Sequence, residues 1–67
     1  MTATLNGKYF YSSYGDNPSG GGNGRRVVVS RIINDDNDRP YPVHVKSESG
    51  GALGWCKKGD LQGVDTQ

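Results

Sequence analysis

Glycine is the residue that most limits the folds open to this chain. Eleven of its 67 residues are glycine and three are proline, and both residue types are unfavourable inside helices. Long helices are therefore improbable. Five of the glycines fall in residues 15–24, GDNPSGGGNG, and glycine loses more backbone entropy on ordering than any other residue. We expect this segment to be a mobile surface loop.

The segments between the glycines have the apolar patterns of β-strands. Strands are predicted at residues 7–14, 25–33, 41–47 and 53–57, with a single helical turn at residues 58–61. In the third strand Tyr41, Val43 and Val45 alternate with residues of the opposite face, as in a half-buried strand. Short strands spaced by about ten residues, with turn signals between them, are typical of a small antiparallel β-barrel or sandwich.

The chain is long enough for one domain, residues 1–67, with one small core. A chain of this size buries only about 60% of its surface on folding, so no enzymatic activity is expected. Residues before Leu5 and after Gln62 are expected to fray, which leaves an ordered core of about residues 7–62. The predicted core side chains are Val27, Val29, Ile33, Val43, Val45 and Leu61.

Charge and hydropathy exclude several classes of partner. The net charge of +1 is low for a protein that binds nucleic acid through phosphate contacts, so no nucleic-acid partner is expected. The mean hydropathy is −0.77, and the sequence has no apolar segment long enough for membrane insertion. Its one cysteine and one histidine allow neither an internal disulfide nor a typical zinc site.

The segment Gly54-Trp55-Cys56-Lys57-Lys58-Gly59-Asp60-Leu61 resembles the closing signature of bacterial SH3-like (SH3b) domains, where Gly-Trp-Val precedes Asp-Leu or Tyr-Leu by a few residues. Upstream, a tyrosine-rich strand, a Gly/Ser/Pro segment, an Arg-Val-Val-Val strand and a Tyr-Pro-Val-His-Val strand follow the order found in cell-wall-binding modules of phage endolysins and bacterial autolysins. The resemblance covers roughly residues 7–61. Two departures are Cys56, where valine is usual, and the absence of the common Asn-Val-Arg-Ser-Gly-Pro stretch.

The resemblance implies an all-β fold, a small SH3-like antiparallel barrel of about five short strands with a single 3-10 turn near the C-terminus. It also implies a non-catalytic module that binds peptidoglycan or another wall polymer and targets a lytic catalytic domain, attached or a separate endolysin subunit. The N-terminal residues Met-Thr-Ala-Thr-Leu-Asn lack the cationic and apolar regions of a signal peptide, so none is expected. A protein of the resembled family would be made in the host cytoplasm and act at the wall after release. The alternative is a small phage-encoded protein-binding module or an inhibitor of a host protein.

The aromatic residues point to the ligand site. Five of the six are Tyr9, Tyr11, Tyr14, Tyr41 and Trp55, more than a small barrel can bury. Exposed rings stack on sugars and support extended peptides, while Asp16 and His44 would add polar selectivity. The predicted ligand-binding residues, beside the glycine-rich segment, are Tyr11, Tyr14, Asp16, Tyr41, His44 and Trp55.

Three other kinds of site were considered from the sequence. A nucleophilic pair of His44 and Cys56 would need an orienting group and a cleft, so no catalytic residue is expected. The acidic turn at residues 34–38 lacks the glycine and glutamate of an EF-hand loop, and no metal or other cofactor is expected. An electrostatic alternative to the aromatic site is a basic patch that would grip an anionic polymer, formed by Arg25, Arg26, Arg31 and Lys46.

Overall fold

The computed structural model describes residues 1–34 and 39–65. Along the chain it has β1 (Thr2–Phe10), β2 (Pro18–Ile32), β3 (Val43–Ser47), β4 (Ala52–Cys56), a 3-10 turn (Lys58–Asp60) and β5 (Leu61–Asp65). The predicted fold class is confirmed, since the structure is all-β, with a closed four-stranded antiparallel barrel, one additional strand and a single 3-10 turn near the C-terminus.

Four of the strands close a barrel. In the sheet order β2–β3–β4–β1–β5, β1 also pairs with β2, and every pairing is antiparallel. Closure depends on the length of β2, which pairs with β1 through its first eleven residues (18–28) and with β3 through residues 27–32. β5 adds to the first residues of β1. A closed barrel leaves few strand edges unpaired.

The core consists of the inward-facing side chains of the barrel strands. Its buried cluster comprises Leu5, Tyr9, Val27, Val43, Val45 and Cys56. The predicted core is confirmed for its three central valines, and Val29 and Leu61 pack against the cluster while partly buried. Ile33 was wrongly included. It follows the end of β2, and its backbone N–H donates to the Pro42 carbonyl 3.0 Å away.

The glycine-rich segment is not the predicted loop. Residues 18–24 belong to β2 and pair with residues 6–10 of β1. The reason is close packing: a Cβ at Gly20 would lie 2.5 Å from the phenolic oxygen of Tyr9. Without it, the Tyr9 ring fits against the backbone of the paired strand. Glycine at this position leaves room for a side chain of the neighbouring strand. The packing of that side chain offsets the backbone entropy that glycine loses on ordering.

The boundaries of β1 also differ from those predicted. The strand begins at Thr2 and ends at Phe10, whereas residues 7–14 were expected. Thr2 and Leu5 do not fray, because each pairs with both β2 and β5. At the other end, β5 continues past Gln62.

Residues 35–38, most of the acidic turn considered for calcium, lie outside the described residues. The part of the chain that the structure describes holds no helix with the length and hydropathy needed to span a bilayer.

Candidate functional site

A row of rings crosses three strands on the outside of the barrel. Phe10 of β1 lies opposite Trp55 of β4, and Trp55 lies opposite His44 of β3. Opposing residues of antiparallel strands project from the same face, and the neighbouring Val43 and Cys56 fill the core. The His44 and Trp55 rings meet edge to face, with centroids 5.0 Å apart and planes at 64°.

Tyr41 extends this row toward the β1–β2 connection. Its ring packs on Phe10, with centroids 4.2 Å apart and planes at 40°. The backbone fixes this position, because the Tyr41 N–H donates to the Ser13 carbonyl at 2.9 Å. Gly15, at φ 90°, leaves room for the ring, since a Cβ there would lie 2.6 Å from Tyr41 Cε2. We call Tyr41, Phe10, Trp55 and His44 the aromatic surface; Phe10 is only 9% exposed beneath Tyr41, and the other three rings are half-buried.

The remaining predicted site residues lie on the connection between β1 and β2. Tyr11 is 71% exposed and Tyr14 is 54% exposed. The Arg39 guanidinium lies 4.9 Å from the centroid of the Tyr14 ring and donates to Ser13 Oγ at 2.6 Å. Tyr14 is therefore held next to the segment that positions Tyr41.

Tyr11 and Asp16 are both exposed. Within the described residues, their side chains form no hydrogen bond or ring contact that ties them to the aromatic surface. The structure thus brings together Tyr41, His44 and Trp55, with Tyr14 beside them. It leaves Tyr11 and Asp16 on the same connection without a fixed relation to the others.

A β-bulge in β2 places Ser30 next to His44. Val29 pairs with Val45 and Arg31 pairs with His44, so Ser30 is an extra residue in β2. Its hydroxyl lies 2.5 Å from His44 Nδ1 and 3.2 Å from the His44 carbonyl. Burial lowers the pKa of His44 below its ordinary 6.5, and the nearby charges of Lys46 and Arg31 lower this pKa further. At neutral pH the ring is therefore uncharged and offers one donor and one acceptor nitrogen.

An open pocket of about 190 Å³ adjoins the aromatic surface and shares two of its rings. Its walls are the side chains of Lys8, Phe10, Tyr41, Lys57 and Asp60. Lys8 comes from β1, whereas Lys57 directly precedes the 3-10 turn and Asp60 ends it. We call these five residues the charged pocket.

Two contacts fix the charged pocket. Lys57 Nζ lies 5.6 Å from the centroid of the Tyr41 ring, within the range of a cation–π interaction. The Asp60 carboxylate lies so close to Gly7 that a Cβ there would overlap it. Sequence reasoning missed Lys8, Phe10, Lys57 and Asp60 as site residues. The last two lie within the SH3b-like ending, but nothing local to the sequence places Lys8 beside them.

The residues of the basic-patch alternative have separate contacts. Arg26 donates to the hydroxyls of Thr2 and Thr4 at 2.8 and 3.0 Å, and Arg25 donates to the Tyr9 hydroxyl at 3.4 Å. Arg31 acts electrostatically on His44, as does Lys46.

The two residues of the nucleophilic-pair hypothesis point to opposite sides of the barrel wall. His44 lies on the outer face opposite Trp55, and Cys56 is fully buried opposite Val43. Burial, with a smaller contribution from the Asp60 carboxylate, raises the pKa of the Cys56 thiol to about 11. Cys56 is therefore a protonated core side chain at neutral pH, because only the thiolate is an effective nucleophile.

Within residues 1–34 and 39–65, no three His, Cys, Asp or Glu side chains come together as a metal site would require. The fold and the site define a small closed β-barrel protein with an aromatic outer surface. Comparison with protein-family models, with curated protein sequences and with solved structures finds no match to the chain.

Proposed function

We propose that this barrel is a non-catalytic module that binds bacterial cell-wall peptidoglycan, with the aromatic surface as its contact face. The observation that carries the proposal is the group of half-buried rings of Tyr41, Trp55 and His44 on the outside of the barrel, with the buried Phe10 beneath Tyr41 and opposite Trp55. Flat apolar rings with polar edges suit a ligand of sugar faces and peptide backbone. The uncharged His44 ring, whose Nδ1 is hydrogen-bonded to the Ser30 hydroxyl, would hydrogen-bond a ligand through Nε2 without requiring a charged partner.

The resemblance to SH3b modules supports the same assignment. The ending Gly54–Leu61 contributes Trp55 to the aromatic surface, and Lys57 and Asp60 to the charged pocket. The segment that carries the resemblance is thus also the segment that builds much of the site. As a targeting module, the barrel would raise the effective concentration of a lytic catalytic domain at the wall.

A pull-down with purified sacculi tests this proposal. We expect Trp55→Ala and Tyr41→Ala each to weaken wall binding about tenfold, because a buried aromatic contact at an interface contributes roughly 1–2 kcal/mol. Val64→Ala is the matched control, since Val64 is an exposed apolar residue outside the aromatic surface. Circular dichroism of each variant verifies that it is folded.

Salt separates this proposal from the electrostatic alternative. Stacking contacts change little when the salt concentration rises to about 0.5 M, whereas contacts to an anionic polymer are screened. Wall binding that is lost in salt and unchanged by Trp55→Ala and Tyr41→Ala would contradict the aromatic site. It would support the basic patch of Arg25, Arg26, Arg31 and Lys46 instead.

One observation favours a protein-binding module as the second candidate. A groove of about 130 Å³ has an almost entirely apolar lining that includes Val29, Ile32, Leu61 and Val64. It shares no residue with the aromatic surface. If a host protein is the partner through this groove, Val64→Ala weakens its binding, and purified sacculi do not retain the wild-type protein.

A further inference from the structure

The charged pocket places two ammonium groups and one carboxylate around an aromatic wall. Lys8 and Lys57 supply the ammonium groups, Asp60 supplies the carboxylate, and Phe10 and Tyr41 supply the rings. None of the three charged groups forms an ion pair with another described residue. The pocket therefore carries a net positive charge and unused hydrogen-bonding capacity next to the proposed contact face.

The chemistry of these side chains specifies what a bound group must offer. A lysine ammonium only donates hydrogen bonds, and an ionised aspartate only accepts them. A complementary ligand therefore presents an anionic acceptor to Lys8 and Lys57 and a nearby N–H donor to Asp60. The terminal residue of a peptide has both groups, since its carboxylate and its own amide N–H are separated by one carbon. A phosphate lacks the N–H donor, and a neutral sugar lacks the charge.

The volume of the charged pocket is large enough for the terminal residue of a peptide. Its volume of about 190 Å³ equals roughly six water molecules at about 30 Å³ each, which is enough for a terminal residue with a small side chain. A longer ligand would continue out of the pocket across the ring of Tyr41, which packs on the buried Phe10 and belongs to both surfaces.

We propose that the charged pocket binds the free C-terminal carboxylate of a short peptide, with Lys8 and Lys57 on the carboxylate and Asp60 on the adjoining amide N–H. This inference deepens the proposed function and rests on it for the source of the peptide, a wall peptide with an open end. It makes the barrel selective for uncapped peptide ends, because a peptide whose C-terminal carboxyl group is consumed in a cross-link has no free C-terminal carboxylate to offer.

Titration with a matched pair of probes tests the pocket. N-acetyl-trialanine is added to the full chain as the free acid and, separately, as the C-terminal amide, and binding is followed by NMR chemical shifts. We expect the acid to bind about tenfold more tightly or better, as charged hydrogen bonds imply. Lys57→Met should abolish this preference, because it removes the ammonium group and keeps a chain of similar length.

Lys58→Met is the control. Lys58 is the exposed neighbour of Lys57 but lines the apolar groove rather than the charged pocket, so its replacement should leave the acid preference intact. Equal binding of acid and amide by the wild-type protein would overturn the proposal. So would an acid preference that survives the double change Lys8→Met and Lys57→Met.

Sacculus binding is measured separately, so failure of this inference is distinguishable from failure of the proposed function. Sacculi that retain the protein, combined with equal binding of the two probes, would reject the carboxylate site alone. If the protein prefers the acid probe but is not retained by sacculi, the carboxylate site is supported and the proposal that the peptide comes from the cell wall is contradicted.

Discussion

Cys56 illustrates how position in the barrel sets the chemistry of a single residue. A free thiol on a surface is a candidate nucleophile, but this side chain is fully buried among Leu5, Val43 and Val45. Burial and the Asp60 carboxylate both disfavour the thiolate. Cys56, which occupies the position where valine is usual in the SH3b-like ending, therefore behaves as a small apolar core side chain.

The raised pKa of Cys56 predicts a loss of stability in alkali. Its pKa rises from an ordinary 9.0 to about 11 on folding, so the unfolded chain releases this proton at lower pH than the folded one. The buried, protonated thiol contributes its full stabilisation below pH 9. The free energy of unfolding should then fall by on the order of 2 kcal/mol as pH rises through 11. Urea unfolding at successive pH values measures this decline.

Tyrosines and lysines also titrate in this range, so the comparison is with Cys56→Ala. This variant is expected to be less stable at neutral pH, because it loses buried apolar volume, and to show a shallower decline between pH 9 and 11. Identical pH slopes for the two proteins would mean that the thiol does not ionise with unfolding as its burial implies.

At the scale of the elements, close backbone packing at one glycine holds β4 against β1 and β2. β4 passes over the end of β1 at Gly54, which is buried and has a φ of 157°. A Cβ at this position would lie 2.5 Å from the Phe10 carbonyl oxygen and 3.1 Å from Ser19 Oγ. The same Ser19 hydroxyl donates to the Leu53 carbonyl at 3.2 Å, which links β2 to β4. Any side chain at Gly54 would push these strands apart.

Gly54→Ala should therefore destabilise the protein by about 3 kcal/mol, from the combined cost of an unfavourable φ and of overpacking. Gly59→Ala is the matched control, because no heavy atom lies within 4 Å of a Cβ there and surface changes of this kind usually cost less than about 0.5 kcal/mol. Urea unfolding compares the two variants. Equal stability of both would show that the strands can separate at Gly54 without cost.

At the scale of the whole molecule, the chain is as compact as a small globular domain. Its accessible surface of 4091 Å² agrees with the roughly 4,100 Å² expected for its mass, and its radius of gyration of 10.7 Å agrees with an expected value of about 10.9 Å. A domain of this size typically has only about 3–5 kcal/mol of stability. Each fully buried side chain therefore carries a large share of the total.

Val45→Ala tests how much of that stability one core residue carries. Val45 is fully buried in the core cluster, and we expect its truncation to lower the free energy of unfolding by about 1–3 kcal/mol, from lost apolar burial and the cavity left behind. Val64→Ala, at a position that is 49% exposed, should cost well under 1 kcal/mol. A small effect at Val45 would contradict a single tightly packed core.

The sequence by itself determined the fold class and the centre of the core. The alternation of Val43 and Val45 with His44 depends only on the two-residue period of a strand, so it predicted correctly that these two valines face inward. It was wrong for Tyr41, which was placed on the valine face of a strand beginning at residue 41 but precedes β3 and packs on Phe10. The same reasoning placed His44 on the outer face, and the local turn signals correctly predicted the 3-10 turn before β5.

Only the tertiary structure decided where the glycine-rich segment goes and which residues meet on the surface. Gly20 is in a strand because the Tyr9 ring occupies the space of its missing side chain, a contact between residues of two strands that no local propensity encodes. The row of Phe10, Trp55 and His44 depends on register across three strands, and Lys8 lines the same pocket as Asp60 because β1 pairs with β5, the strand that follows the 3-10 turn. Register and closure arise from contacts between distant parts of the chain, whereas the patterns readable in one sequence are local.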